Sequence, residues 1–236
     1  MRRALVVDCD AVAALREIGA GEPRLAAFAL AAELAGADAV RVSVQESLRP
    51  VRESDLYDLR RVVRQLEIQL APTPSLLKLA LEVRPDRVVL ASEPGAARRL
   101  GTPLELAALR TAAPLAARAL REAGIPTSAR IAPDPEAVKL ARGADVAAVE
   151  LATAGTVDLP ESERAVALER VADAARIAGK LRLPLAAGGG LAKHRLGGLL
   201  AAAPAIESIA VGRALAARSL FVGLERAIAE LRAEIG

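Results

Sequence analysis

Eight short aliphatic or β-branched runs recur along this chain, each followed by a stretch of Ala, Leu, Arg and Glu at helical spacing. Strands are expected at Ala4–Asp8, Ala39–Val44, Glu67–Leu70, Arg87–Ala91, Thr127–Ile131, Val146–Leu151, Leu183–Ala187 and Ile206–Val211. Helical patterns with apolar residues near the 3.6 period fall at Arg24–Leu34, Glu53–Gln65, Pro74–Val83, Leu104–Ala123, Pro135–Arg142, Ser162–Gly179, Lys193–Ala203 and Arg218–Ile235. A helix after every strand returns the chain to the same edge, so the strands must be parallel. The 236 residues suit one closed barrel of the size that typically needs ~250. The expected fold is α/β, a single (β/α)8 barrel domain over residues 1–236.

Local punctuation supports this topology. Gly36 and Gly143 end helical patterns two or three residues before a strand, as short αβ loops do. Thr73-Pro74 and Asp134-Pro135 place a capping residue before a proline at the first helical position.

Composition excludes several classes of function. Hydrophobic residues make up 53% of the chain, yet its aromatics are only Phe28, Tyr57 and Phe221, so an aliphatic core is expected. Base-stacking platforms and clustered basic stripes are both missing, and a net charge of +3 is too small to argue for nucleic acid. Cys9, the single cysteine, cannot form an internal disulfide or a cysteine metal cluster, which favours the cytoplasm. The apolar run after Arg3 is too short for a signal segment and reads as a first strand. No run approaches the ~20 apolar residues needed to span a bilayer.

In barrels of this kind ligands gather at the C-terminal ends of the strands, with phosphate commonly on the loops after strands seven and eight. Those loops are Gly188-Gly-Gly190 and Gly212-Arg213. Glycine lets backbone N–H groups crowd an anion, and each turn feeds a helix whose N-terminus favours negative charge. Neither turn contains a group for proton transfer or covalent chemistry. Asp8 and Asp10, given the same strand parity, are open to two readings: a hold on a cation or hydroxyl, or caps for the following loop. Glu150 is either a ligand contact or a tie to Arg130 on the neighbouring strand. His194 lies beyond the glycine turn among basic neighbours, as at a solvated helix start. Cys9, between two acids, is a poor nucleophile and is expected to be a small strand residue.

The order of motifs resembles the pyridoxine 5′-phosphate synthase family, barrel enzymes that condense 1-deoxy-D-xylulose 5-phosphate with 3-amino-2-oxopropyl phosphate. The family's N-x-D-H-V-A-x-L-R falls on Asp8-Cys-Asp-Ala-Val-Ala-Ala-Leu-Arg16, with Ala11 at its histidine. A-E-x-A-G-A-D matches Ala32 to Asp38. H-L-R-E-D-R-R-H-I falls on Ser43 to Val51, where Glu46 and Arg49 are kept. There Ser43 stands for the histidine base, Gln45 for a substrate-binding arginine and Pro50 for a second histidine. N-L-E-M-A falls on Glu67-Ile-Gln-Leu-Ala71, with Gln69 at the catalytic glutamate. E-I-H-T-G retains Glu150 and Thr153. N-A-G-H-G-L puts Gly189 at the histidine acid, and N-I-G-H-A keeps Gly212 but has Arg213 at the phosphate-side histidine.

The resemblance therefore implies the family's barrel and part of its phosphate cup without its proton-transfer side chains. Such groups contribute about 10²–10⁴-fold each, so no catalytic residues and no family condensation are expected. The leading expectation is a catalytically degenerate barrel with a binding, regulatory or scaffold role. Its ligand would be a phosphorylated small molecule or inorganic phosphate held by Gly188, Gly189, Gly190, Gly212, Arg213, Asp10, Glu150 and Thr153. No cofactor, metal, nucleic acid or membrane partner is expected, and the family implies a homo-oligomer. The alternative is an enzyme on sugar-phosphate-like substrates using Asp8, Asp10, Glu46 and Glu150 in place of the histidines, with oxygen ligands that suit Mg²⁺.

Overall fold

The computed structural model describes residues 2–18, 21–93, 102–154 and 159–236. Its elements run β1 (Ala4–Asp8), α1 (Asp10–Arg16), α2 (Leu25–Leu34), β2 (Ala39–Ser43), α3 (Glu53–Val62), β3 (Leu66–Leu70), α4 (Pro74–Val83) and β4 (Arg87–Leu90). They continue with α5 (Leu106–Arg110), α6 (Ala112–Glu122), β5 (Thr127–Ile131), α7 (Pro135–Gly143), β6 (Ala148–Ala152) and α8 (Glu161–Lys180). The last are β7 (Leu185–Gly188), α9 (Lys193–Ala202), β8 (Ser208–Val211), α10 (Arg213–Val222) and α11 (Leu224–Ile235). The eight strands close in sequence order into a parallel barrel, with β1 bonded to both β2 and β8.

The expected elements differ from the structure at several places. Asp10–Arg16, read from the sequence as a strand end and loop, forms α1 and buries Val12, Ala13 and Arg16. Cys9 is accordingly not a strand residue but the buried residue preceding α1. The pattern over 104–123 divides into α5 and α6, because the ring of Pro114 excludes the carbonyl of Arg110 from a continuous helix. The C-terminal pattern divides into α10 and α11 at Gly223, whose φ of 80° and ψ of 156° stop the first helix. Strands β6, β7 and β8 each begin two residues later than expected.

Strand side chains alternate between two quite different environments. Leu5, Val7, Val40, Val42, Leu66, Ile68, Val88, Leu90, Val149 and Leu151 join the helices in one large buried aliphatic cluster. The alternate positions face the barrel axis, where Val6, Ala39 and Ala210 form a small separate cluster. Above these, the axis is filled by Arg41, Ser43, Glu67, Gln69, Arg130 and Glu150, all buried. The aliphatic core expected from composition thus describes the layer between sheet and helices, whereas the barrel interior is ionic. No described helix is long and apolar enough to cross a membrane.

Candidate functional site at the barrel mouth

The two glycine turns sit side by side, since Gly188 pairs with Ala152 of β6 and Ala210 of β8. Gly189 and Gly190 have φ of +85° and +72°, the left-handed region that glycine enters without strain. Thr153 fixes this turn: its N–H donates to the Gly188 carbonyl at 2.8 Å, and its hydroxyl lies 3.0 and 2.7 Å from the carbonyls of Gly188 and Gly189. Among the described residues no backbone acceptor pairs with the N–H of Gly189 or Gly190. Gly212 precedes α10, and a Cβ there would stand 3.0 Å from both Cβ and the carbonyl oxygen of Asp8. Arg213, the first residue of that helix, is exposed. The arrangement offers glycine amides, a helix N-terminus and a guanidinium to an anion.

Beneath the turns lies a ladder of charge made by register. Arg41 is opposite Glu67, Glu67 is opposite Arg87, and Arg130 is opposite Glu150. Arg130 Nε donates to Glu150 Oε1 at 2.8 Å, while Arg41 Nη2 is 2.6 Å from both Glu150 Oε2 and Glu67 Oε2. Arg87 Nε is 3.4 Å from Glu67 Oε1 and its Nη1 donates to Ser128 at 2.9 Å. Burial pushes the Glu150 carboxyl up, but Arg130 and Arg41 outweigh it and hold the group down at about 2. Arg41 is raised despite burial, because Glu150 and Glu67 favour its charged form. A Cβ on Gly188 would fall 2.6 Å from Glu150 Oε1, so the glycine turn rests directly on this ladder.

A third polar region occupies the β1–β2–β3 corner of the mouth. Asp10 is buried, and its Oδ1 accepts the Ser43 N–H at 2.7 Å. Asp8 Oδ1 accepts the Asp10 N–H at 2.9 Å, and Gln69 Nε2 donates to Ser43 Oγ at 3.0 Å. Burial and then the charge of Asp8 push the Asp10 carboxyl up to about 8, with Ser43 opposing. The Cys9 thiol is raised by burial and by both acids, which leaves it protonated and inert. Glu46 is held outside this corner by the Ser75 and Thr73 hydroxyls, which lower its carboxyl.

The site residues expected from the sequence therefore separate into three groups. Gly188, Gly189, Gly190 and Thr153 build one turn, with Gly212 and Arg213 beside it. Glu150 lies under that turn, fully buried and ion-paired to two arginines, so the tie to Arg130 is present and Arg41 doubles it. Asp10 belongs to the far corner, and because it opens a helix it does not share strand parity with Asp8. His194 is exposed on α9, in a surface groove of about 450 Å³ between α9, α10 and α11. Arg41 escaped the sequence reading. Its signal was a lone charge between Val40 and Val42 in a strand whose other face is apolar.

Motif order and geometry agree with comparison to known proteins. The family described as pyridoxal phosphate biosynthesis protein PdxJ matches this sequence over residues 5–236. The chain belongs to that family. Its relatives include the pyridoxine 5′-phosphate synthase of Desulforapulum autotrophicum, 33% identical over 234 residues, or 98% of each chain. The enzyme of the same name from a Synechococcus strain is 33% identical over 235 residues, again 98% of each. Among solved structures, a thiamine phosphate pyrophosphorylase from Pyrococcus furiosus superposes with TM-score 0.65 at 16% identity, covering 99% of this chain and 95% of that one. A mutant tryptophan synthase α-subunit from the same organism gives TM-score 0.60 at 18% identity, covering 100% and 98%. At such identities these two structures speak for the barrel alone.

Proposed function

We propose that this chain is a pyridoxine 5′-phosphate synthase-like barrel that binds a small phosphorylated molecule, or inorganic phosphate, between Gly188–Gly190 and Gly212–Arg213 and does not run the family condensation. The observation that carries the reading is the Thr153-pinned turn. Among the described residues, no backbone acceptor pairs with the N–H groups of its two left-handed glycines, which lie next to the start of α10. The ladder beneath adds favourable charge, with Arg41, Arg87 and Arg130 against only Glu67 and Glu150. A binding, regulatory or scaffold role follows, and the exposed Leu220 and Phe221 on α10 support self-association.

Calorimetry with inorganic phosphate tests the binding. Micromolar to millimolar affinity that drops at least tenfold in Arg213→Glu is expected, and no binding to the parent protein overturns the reading. Formation of pyridoxine 5′-phosphate from the two family substrates by the purified protein overturns the loss of the condensation.

The carboxylate-based enzyme reading narrows to the Asp8–Asp10 corner. Glu150 at about 2 and fully buried takes no proton near neutrality, and Glu46 is engaged by two hydroxyls. Asp10, raised to about 8 by burial and by the charge of Asp8, supports it. Turnover of a phosphorylated sugar that is lost in Asp10→Asn would establish that chemistry.

A further inference from the structure

The acid pair at the end of β1 takes no part in the anion site just described, yet it touches it. Asp10 is only 5% exposed, and its Oδ2 is buried with no hydrogen-bond partner. Asp8 reaches the Asp10 backbone with one oxygen, while its Cβ and Cγ lie 3.0 and 3.1 Å from the point a Gly212 Cβ would occupy. One acid therefore lines the Gly212 turn and the other is sealed behind it.

Among the described residues no arginine or lysine forms an ion pair with either acid. On β2, Arg41 is opposite Asp8; its Nη2 is held by Glu67 and Glu150 while its Nη1 has no hydrogen-bond partner, and Ser43 is neutral. On β3, Gln69 faces Ser43 with an amide, and its own Oε1 is a second buried acceptor without a donor. Between the acids, Cys9 carries a neutral thiol, and on α10 Arg213 lies exposed beyond Gly212. The groups acting on Asp10 are Asp8 and Ser43 alone. Two adjoining carboxylates with no cation do not both ionise near neutrality.

We propose that the Asp8–Asp10 pair carries one proton around neutral pH, and that an anion in the Gly212–Arg213 turn binds together with that proton. The inference rests on the phosphate reading of this turn. An anion beside Asp8 raises the proton affinity of the pair, and by linkage the proton raises anion affinity by the same factor. The raised Asp10 carboxyl places the transition near pH 8. Affinity therefore falls as pH rises through that value. An anion site built from arginine and backbone amides alone would stay flat there.

The test titrates metal-free protein with inorganic sulfate, which does not ionise in this range, beside inorganic phosphate. Calorimetry is run from pH 6.5 to 9.5 in two buffers of different ionisation enthalpy, with aspartate carboxyl carbon NMR on the anion-free protein. One carboxyl carbon is expected to titrate near 8, sulfate affinity to fall about tenfold across that midpoint, and a proton to be taken up in the upper half of the range. A tenfold fall corresponds to a shift of about one pKa unit. Asp8→Asn keeps an oxygen for the Asp10 N–H and is expected to abolish both the fall and the uptake. Asp10→Asn, which keeps Oδ1 for Ser43, serves as the second variant if the first does not fold.

Aspartate carbons that all titrate below about pH 5 overturn the shared proton, whatever the anions do. A carboxyl near 8 with pH-independent anion affinity overturns the linkage and leaves the phosphate reading standing. Binding of neither anion at any pH overturns the phosphate reading and the linkage together.

Discussion

Two polar regions inside the same barrel have been satisfied in opposite ways. In the ladder under the glycine turns every carboxylate meets an arginine: the atoms without a hydrogen bond are Arg41 Nη1 and Glu150 Oε2, and the latter is still ion-paired at 2.6 Å to Arg41 Nη2. In the corner at β1, β2 and β3 the leftover atoms are acceptors, Asp10 Oδ2 and Gln69 Oε1. The difference lies in register. Arg41, Glu67, Arg87, Arg130 and Glu150 lie on adjacent strands in a register that sets each carboxylate against an arginine. Asp8 and Asp10 are two steps apart on one segment, with Ser43 and Gln69 as neighbours, and only a proton or a ligand donor can balance them.

The sharpest way to break this contrast is to unpair the ladder. Glu150→Gln removes the buried carboxylate shared by Arg130 and Arg41, and a loss of about 3–5 kcal/mol is expected in urea unfolding. Next is Gly188→Ala. Its added methyl meets Glu150 Oε1 at 2.6 Å and Arg130 Nη2 at 3.1 Å, and neither can move without breaking the pair. A loss of about 1–3 kcal/mol is expected by the same measurement.

Removing the acid corner's ionisation is expected to act through pH. The Asp10 carboxyl sits at about 8 in the folded protein, above its ordinary 3.8, so the native state holds more protons than the unfolded chain between those values. Stability therefore falls as pH rises through that window, by at most about 1.4 kcal/mol per unit, and levels off above 8. Asp10→Asn should flatten this decline in thermal melts from pH 5 to 8, whereas Glu150 contributes no slope there because its window lies below 4.5. Outside both regions, Phe221→Ser on the 83% exposed side chain is expected to stay within about 0.5 kcal/mol of the parent in the same melts.

The barrel was legible because strand and helix periods differ and the eight units repeat them. Boundaries failed where one residue overrules a pattern, as Pro114 and Gly223 do. The glycine turns could be located because glycine itself is the signal. Glu150 could not be resolved between ligand contact and structural tie, since its fate depends on Arg41, distant in sequence and joined to it only by closure of the barrel. The parity assigned to Asp8 and Asp10 failed for a related reason. A seven-residue helix beginning at Asp10 has too few turns to announce itself against the preceding strand.

The ionic ladder also bears on heat. Charged groups lose part of their favourable hydration as temperature rises, so keeping Arg41, Glu67, Arg130 and Glu150 out of water becomes less costly when hot. The aliphatic layer around the barrel has no such reserve, because its gain per unit area plateaus. The innermost part of this protein should therefore be the last to loosen on warming, with the helices outside it yielding first.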